Sequence, residues 1–327
     1  METIIEKIPT EKIIAELTPD KKVRDTNKAG NEIYVVTWQN APNTMREIGR
    51  LREIAFRAYG GGSGKSVDLD DFDTCEAPYK NLLVWNPEAQ EIIGGYRYML
   101  GKDTPLDADG QPVLATSHMF RFSDEFVRDY LPWTIELGRS FVTLEYQSTR
   151  MGTKSLFALD NLWDGLGAIV VMEPSVKYCF GKFTMYPSYD REARNMILSF
   201  LKKRFPDDRQ LVWPKQPLQL NVDEDAMKAL FTEEDFKKDY RILNREVHAR
   251  GVAIPPLVNA YMSLSPTMKF FGTAINDEFG DVEESGILIA LDEILPEKRM
   301  RHVDSFAAEH PEYVDAASAV DRIFYKV

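Results

Sequence analysis

Two opposite charges stand inside an otherwise apolar stretch, and this feature constrains the fold more than any other. The stretch runs Trp133-Thr-Ile-Glu-Leu-Gly-Arg-Ser-Phe-Val-Thr143, and its β-branched, aromatic and aliphatic residues predict a buried strand. Charges in such a strand are costly unless they are paired or used chemically. In a regular strand Glu136 and Arg139 point to opposite faces. A β-bulge, which Gly138 tolerates, turns both to one side and frees backbone N–H groups to hold an oxyanion. A catalytic pair and a buried ion pair to a neighbouring strand are both compatible with this pattern.

Composition narrows the class of protein. The chain has 327 residues, of which 44% are hydrophobic and 28% charged, as in an ordinary soluble globular protein. Cys75 and Cys179 are its two cysteines, which predicts neither a disulfide framework nor a zinc site and favours a reducing cytoplasm. The net charge of −12 argues against a general nucleic-acid binder. The sequence shows neither a signal peptide nor a run of about 18 apolar residues that would span a membrane.

The order of elements predicts an α/β (α+β) fold, in which a mixed central sheet is flanked by helices. Residues 1–30 are expected to form an extended arm with one short helix, and residues 31–327 a single domain with a polar insertion at about 206–250. Asn43 is the expected cap of the first long helix. Strands are predicted at Glu32–Trp38, Asn81–Trp85, Glu91–Leu100, Tyr178–Met185 and Gly286–Leu291, and helices at 43–59, Ser155–Val171, Arg191–Lys203 and 232–248.

Two loops invite a phosphate-binding interpretation. Gly60-Gly-Gly-Ser-Gly-Lys-Ser66 lacks the first glycine of a P-loop, because Tyr59 occupies that position, and it follows a helix instead of a strand. We therefore expect a loop beside a site. Arg150-Met-Gly-Thr-Lys-Ser155 precedes a predicted helix, so its backbone amides and the helix N-terminus can hold a phosphate.

The remaining polar signals are ambiguous. His118 is either a base or a histidine at the surface or core edge, and none of the four histidines has metal-type spacing, so we expect no metal. Six basic residues within 191–209 form either a docking patch for an anionic partner or a solvated helix face.

Taken in order, several segments resemble the acyl-carrier-protein-dependent N-acyltransferases that make ornithine and glycine lipids. That family is often labelled hemolysin-like and belongs, with the acyl-homoserine-lactone synthases, to the GNAT-like superfamily. The resemblance covers about residues 45–292. Its segments are Leu51-Arg-Glu-Ile-Ala-Phe56, Asp70-Asp-Phe-Asp73, Ile93-Gly-Gly-Tyr-Arg-Tyr98, Phe120-Arg-Phe-Ser123, Glu136-Leu-Gly-Arg-Ser140, Leu162-Trp-Asp-Gly-Leu166 and Ile254-Pro-Pro-Leu-Val-Asn-Ala-Tyr261. The chain departs from the family at Phe141, where a cysteine is common, and at Gln147, where an arginine is expected.

The resemblance implies a GNAT-like acyltransferase domain whose sheet splays at the bulged strand. The donor would be an acyl-phosphopantetheine, carried by acyl-carrier protein or coenzyme A, and no cofactor would stay permanently bound. The acceptor would be the α-amine of an amino acid such as ornithine or glycine. Aminolysis needs a proton acceptor for the amine, a stabilised oxyanion and a thiolate leaving group.

Roles for particular residues follow from the same resemblance. Glu136 would receive the amine proton and, with Arg139, form the catalytic pair. The substrate-binding residues would be Arg52, Phe56, Asp71, Asp73, Arg97 and Phe120. Of the arginines, Arg139, Arg52 and Arg97 would orient the acidic groups and the carboxylate of the amino acid. Backbone amides near Phe141 and Val142 would hold the oxyanion. The phosphate of the donor would be held by Arg150, Gly152, Lys154 and Ser155.

Two alternatives stay open at this point. One is an acyl-homoserine-lactone-type synthase that uses S-adenosylmethionine as amine source, and the other is a non-catalytic protein that binds an acyl chain or its carrier. For the acyltransferase we expect acyl-carrier protein as partner and a cytoplasmic location. Since an N-acyl product partitions into lipid, peripheral contact with the inner membrane is also expected.

Overall fold

The computed structural model describes residues 1–147, 153–220, 222–232 and 235–314. Within them the strands are β1 Lys22–Asp25, β2 Glu32–Val36, β3 Lys80–Asn86, β4 Glu91–Leu100, β5 Phe120–Phe122, β6 Thr134–Val142, β7 Tyr178–Met185, β8 Val212–Pro214, β9 Lys269–Asn276 and β10 Val282–Ala290. The α-helices are α1 Thr10–Glu16, α2 Pro42–Arg57, α3 Asp71–Thr74, α4 Leu144–Gln147, α5 Thr153–Met172, α6 Arg191–Arg204, α7 Glu224–Leu230, α8 Phe236–Ala249, α9 Pro256–Met262, α10 Pro296–Arg299 and α11 Ser305–Glu309. No helix in these ranges is long and apolar enough to cross a bilayer.

Eight strands form one mixed sheet in the order β1-β2-β3-β4-β6-β7-β10-β9. Every neighbouring pair is antiparallel except β6 and β7, which are parallel. A parallel pair needs a long crossover, and α4 and α5 lie on the crossover that joins these two strands. The predicted mixed sheet flanked by helices is thus confirmed. A separate two-stranded ribbon joins β5 to β8.

Strand alternation sorts the side chains onto two covered faces. On one face, α2 packs its apolar stripe (Met45, Ile48 and Phe56 among others) against Leu83 and Phe141. On the other face α5 covers the middle strands, and α6, α8 and α9 cover β7, β9 and β10. Burying both faces excludes water from the sheet, so any polar side chain that points inward needs a partner or a function.

The N-terminus of α2 corrects one prediction. The helix begins at Pro42 with Ala41 as N-cap, so Asn43 is not the cap. The carboxylate of Glu16 accepts hydrogen bonds from the backbone N–H groups of Asn43 and Thr44 at 3.0 and 2.7 Å. A side chain from α1 therefore satisfies amides that a local cap would otherwise take.

The bulge in β6 is present, but not at the expected residue. Between Gly95↔Phe141 and Arg97↔Gly138 the register with β4 slips by one residue. Arg139 takes the left-handed conformation, with a φ of 51°, whereas Gly138 does not. The reason lies in β4: a Cβ on Gly94 would lie 2.5 Å from the carbonyl oxygen of Phe141, so the missing side chain lets β6 approach closely just after the bulge.

Two segments predicted as appendages are tied to the body of the fold. Residues 1–30 contain α1 and also β1, which pairs with β2 at the sheet edge. Within 206–250 lie β8, α7 and α8. The basic run at 191–209 is partly used internally, because Lys203 and Arg204 pair with Asp239 of α8 and Arg194 pairs with Glu283.

Candidate active site

The central strands β6 and β7 part in the middle of the sheet. Their pairing runs from Thr134↔Tyr178 to Leu137↔Gly181 and then stops, although both strands continue. Beyond that point the edge of β6 is free of β7, since the carbonyl oxygen of Val142 instead accepts a 2.6 Å hydrogen bond from the Gln147 side chain. The result is a wedge-shaped opening, which is the splay that the family resemblance implies.

The wedge exposes a backbone donor. The N–H of Thr143 points toward β4, where it donates to the carbonyl oxygen of Ile93 at 2.9 Å. Because N–H groups alternate along a strand, the N–H of Val142 points toward the open edge and that of Phe141 toward β4. Of the two amides predicted to hold the oxyanion, that of Val142 is the one that the strand geometry directs toward the opening.

Arg52 and Arg97 are buried and already paired. The Arg52 side chain is fully buried; it donates to the Asn81 side chain and lies 3.3 Å from Asp73. Arg97 contacts Asp70 at 2.7 Å and Asp73 at 3.0 Å. Burial lowers the pKa of Arg52. Burial also acts to lower the pKa of Arg97, but the carboxylates of Asp73 and Asp70 outweigh burial, so the pKa of Arg97 is raised.

Arg139 completes a cluster of three arginines and three aspartates. Its Nε lies 3.1 Å from Asp68 and its guanidinium 3.9 Å from Asp70, and it stacks over the ring of Phe279 at 4.2 Å. Burial alone would raise the pKa of Asp70, but Arg97, Arg139 and Arg52 lower it to about 2. The three positive and three negative charges therefore balance one another.

The acidic segment supplies these carboxylates through a short helix. Asp70 caps α3 by accepting from the N–H of Asp73, and Asp73 accepts in return from the N–H of Asp70, which is a capping box. Asp73 lies in the charged cluster as predicted. Asp71 is exposed on α3, while Asp68 and Asp70, which were not among the predicted site residues, take part in the cluster.

Glu136 is held by neutral donors. It is 2% exposed, and its carboxylate accepts from the phenol of Tyr79 and from the hydroxyl and N–H of Thr116 at 2.6 and 3.2 Å. Within the described residues it has no ion pair. Burial raises the pKa of Glu136, and these hydrogen bonds offset only part of the effect. Burial and the Glu136 carboxylate raise the pKa of Tyr79 well above its ordinary value, so the phenol remains a donor.

The aromatic residues named from the sequence are packed rather than exposed. Phe56 contacts Phe279 edge to face with ring centroids 5.2 Å apart, and Phe141 lies in the same apolar cluster. Phe120 is buried on the sheet beside Gly286. Of the residues predicted to bind phosphate, Arg150 and Gly152 lie outside the described residues. Lys154 and Ser155 belong to the first turn of α5, but their side chains lie outside the described part.

The glycine-rich loop after α2 binds an anion of its own chain. The carboxylate of buried Glu53 accepts from the N–H and hydroxyl of Ser63, both at 2.9 Å, and from the N–H of Gly64 at 2.8 Å. Arg57 contacts the same carboxylate at 2.6 Å. The amides that a phosphate would need are therefore engaged.

A second polar group on the same face was missed. Lys182 of β7 forms an ion pair with Glu284 of β10, whose carboxylate also accepts from Thr184 at 2.9 Å and from Asn276 at 3.4 Å. Burial lowers the pKa of Lys182 despite the nearby Glu284 carboxylate. The signal was present in the sequence, since Lys182 is the one charged residue of the strand Tyr178–Met185.

His118 links the two groups. Its Nδ1 lies 2.9 Å from the carbonyl oxygen of Ala115, and its Nε2 lies 3.3 Å from Asn276. Two of its neighbours, Ala115 and Thr116, bond to Tyr79 and Glu136. One loop therefore connects the Glu136 carboxylate to the group around Lys182 and Glu284, and His118 is exposed on that loop.

Comparison with known proteins identifies the family. The acetyltransferase (GNAT) domain family matches residues 51–156. The glycine N(alpha)-acyltransferase of Bacteroides thetaiotaomicron is 63% identical over 324 residues, which cover 99% of this chain and 96% of the relative. The glycine N(alpha)-acyltransferase of Phocaeicola vulgatus is 61% identical over 326 residues, 100% of each chain. A solved structure of FeeM, an N-acyl amino acid synthase from uncultured soil microbes, covers 84% of this chain and 95% of its own, with 12% identity and a TM-score of 0.37. The chain therefore belongs to the GNAT-type N-acyltransferase family that contains these two bacterial enzymes, and it is an N-acyltransferase.

Proposed function

We propose that this enzyme transfers a fatty acyl group from a phosphopantetheine thioester to the α-amine of glycine. The observation that carries the proposal is the 61–63% identity, over essentially the whole chain, to two enzymes named for that acceptor. The site supports it, because the open wedge between β6 and β7 suits a narrow thioester arm and a carboxylate lies beside its vertex.

Glu136 is the proton acceptor in this proposal. An amine attacks a thioester only when its nitrogen lone pair is free, so the ammonium form must first lose a proton. The raised pKa of Glu136 makes its carboxylate a stronger base than an exposed glutamate. It receives the proton directly or through a water molecule, and Tyr79 and Thr116 hold it in place.

The N–H of Val142 is the proposed oxyanion donor. As the amine nitrogen bonds to the thioester carbon, negative charge develops on the carbonyl oxygen, and a fixed backbone N–H in a water-excluded site stabilises that charge. Collapse of the intermediate breaks the C–S bond. The thiolate leaves and takes up a proton, so the products are the N-acyl amino acid and the free pantetheine thiol.

Acyl-carrier protein is the proposed donor, with coenzyme A as the alternative. The segment Arg150–Ser155 follows β6 and α4 in the chain and runs into the first turn of α5, and its basic composition next to a helix N-terminus suits a phosphate. The lipid-like product would then leave into a bilayer, which requires peripheral membrane contact.

The experiment supplies the purified enzyme with palmitoyl-acyl-carrier protein or palmitoyl-coenzyme A and one amine at a time. Thiol release is followed with a chromogenic reagent and the product is identified by mass spectrometry. Glycine should give N-acylglycine with the highest kcat/KM. Faster turnover of ornithine, or product only with S-adenosylmethionine as the amine, would contradict the glycine assignment.

A further inference from the structure

Lys182 lies where the two central strands begin to part. It follows Gly181, the last residue of β7 that pairs with β6. Its side chain shares a face with Glu136, because Phe180 is the cross-strand partner of Glu136 and lies two residues before Lys182. With strands about 4.8 Å apart and a rise of about 3.3 Å per residue, the two Cα atoms are about 8 Å apart. An amino acid at the vertex of the wedge would lie between them.

The arginines are poorly suited to bind an acceptor carboxylate. Arg52 and Arg97 are 0% and 3% exposed in their side chains, and both are engaged by Asp73. Their Nε atoms have no hydrogen-bond partner among the described residues, but both atoms are buried from solvent. A new carboxylate would have to displace an aspartate from a balanced cluster, which leaves a buried charge unpaired.

Lys182 has donors to spare. Its ammonium carries three N–H groups, and among the described residues Glu284 is the one acceptor it meets. The side chain is 13% exposed, compared with 0% for that of Glu284. The fixed pair holds one N–H, so the lysine is oriented while its other donors remain available to a ligand.

Glu136 supplies the complementary half of the site. Its hydrogen bonds come from neutral groups of Tyr79 and Thr116, and in the described part of the chain it forms no ion pair. A zwitterionic amino acid carries one ammonium and one carboxylate a few ångströms apart. The ammonium matches the carboxylate that has no ion pair, and the carboxylate matches the lysine with open donors.

We propose that Lys182 binds the carboxylate of the amino-acid acceptor while the amine of the same molecule faces Glu136. This inference rests on the proposed function and gives its acceptor site a residue that the sequence did not single out. Glu284 acts as a positioning residue, because it fixes the lysine without contacting the substrate.

The test compares glycine with glycinamide, which keeps the amine and lacks the carboxylate charge. Lys182→Met should lower kcat/KM for glycine by roughly 10- to 150-fold, the effect of losing one charge-assisted hydrogen bond, mainly through KM. The kcat/KM for glycinamide should fall little. Lys182→Arg keeps the positive charge and should restore part of the preference for glycine over glycinamide. The matched control is Lys102→Met, which removes an exposed lysine paired with Glu173 at 2.8 Å. It should change kcat/KM for neither substrate.

The ratio of the two kcat/KM values is measured on one preparation, so it does not depend on the fraction of enzyme that is folded. An unchanged ratio in Lys182→Met would overturn the proposal and leave Lys182 as a structural partner of Glu284. Calorimetric titration without a donor separates this failure from failure of the proposed function. If glycine binds the wild type but not Lys182→Met, the carboxylate site is upheld even when no thiol is released. If glycine binds both proteins equally, the carboxylate site is refuted.

Discussion

At the scale of single residues, the buried carboxylate of Glu136 gives the first prediction. Glu136→Gln removes the proton acceptor and keeps the side-chain shape, so kcat should fall by roughly 10²–10⁴-fold while the protein stays folded. Steady-state kinetics and circular dichroism measure the two properties. In the wild type, kcat/KM should fall as the pH drops below the raised pKa of Glu136, and the variant should lack this acid limb.

Tyr79→Phe is the matched partner of that variant. Removing a hydrogen bond to the ionised carboxylate disfavours the ionised form, so the acid limb should move to higher pH.

Unchanged turnover in a folded Glu136→Gln enzyme would remove Glu136 from the mechanism. An unfolded variant would instead indicate a purely structural role.

Asp70 gives a prediction about stability. Its pKa is about 2 in the folded protein compared with an ordinary value of 3.8. The folded state therefore holds the charged form better, and this stabilisation is complete above pH 3.8 and is lost as the pH falls toward about 2. Asp70→Asn should flatten the fall in the free energy of unfolding across that window, as measured by urea denaturation at several pH values. Asp71→Asn, a change at the exposed neighbouring residue, should leave that fall as it is in the wild type. An identical slope in the wild type and both variants would contradict the assignment.

At the scale of elements, the two glycines of β4 decide how β6 is placed. A Cβ on Gly94 would meet the Phe141 carbonyl at 2.5 Å, whereas a Cβ on Gly95 would meet the Leu82 carbonyl of β3 at the same distance. Each alanine substitution should cost about 1–3 kcal/mol through overpacking. Gly94→Ala pushes on β6 at the edge of the wedge and Gly95→Ala mainly on β3. For similar stability losses in denaturant titrations, Gly94→Ala should therefore lower kcat/KM more, and the reverse order would show that the bulge position is unimportant.

The elements also show what the sequence can and cannot predict. A charge inside an apolar strand identified Glu136 and Arg139, and the same criterion applied to Tyr178–Met185 would have found Lys182. The splay was implied by the family resemblance, and the mixed sheet was predicted from the order of strands and helices. The partners within the site could not be predicted: which aspartate meets which arginine depends on the path of the chain through residues 60–73, and the site of the bulge depends on the close approach of β4. Both are tertiary effects that local spacing does not encode.

At the scale of the whole molecule, the charges before α5 are expected to affect how the acyl donor binds. If the segment before α5 binds the phosphopantetheine and its carrier, Arg150→Glu combined with Lys154→Glu reverses two donor-facing charges. The KM for acyl-carrier protein should rise, and its dependence on salt should flatten, while the KM for glycine stays constant. Initial rates at several ionic strengths measure both. A change confined to the KM for glycine would place the donor elsewhere.

The strand order also bears on what happens as the chain leaves the ribosome. The five strands β1, β2, β3, β4 and β6 join the sheet in the order of their synthesis, and all six charged residues of the arginine–aspartate cluster precede residue 140. That cluster can close while the second half is still being translated. By contrast, β10 is synthesised after β9 and inserts between β7 and β9, and it brings Glu284 to Lys182. A nascent chain that stops before residue 284 would hold a finished charge network but lack the partner of Lys182, so under the proposed acceptor site activity arrives only with the last strand of the sheet.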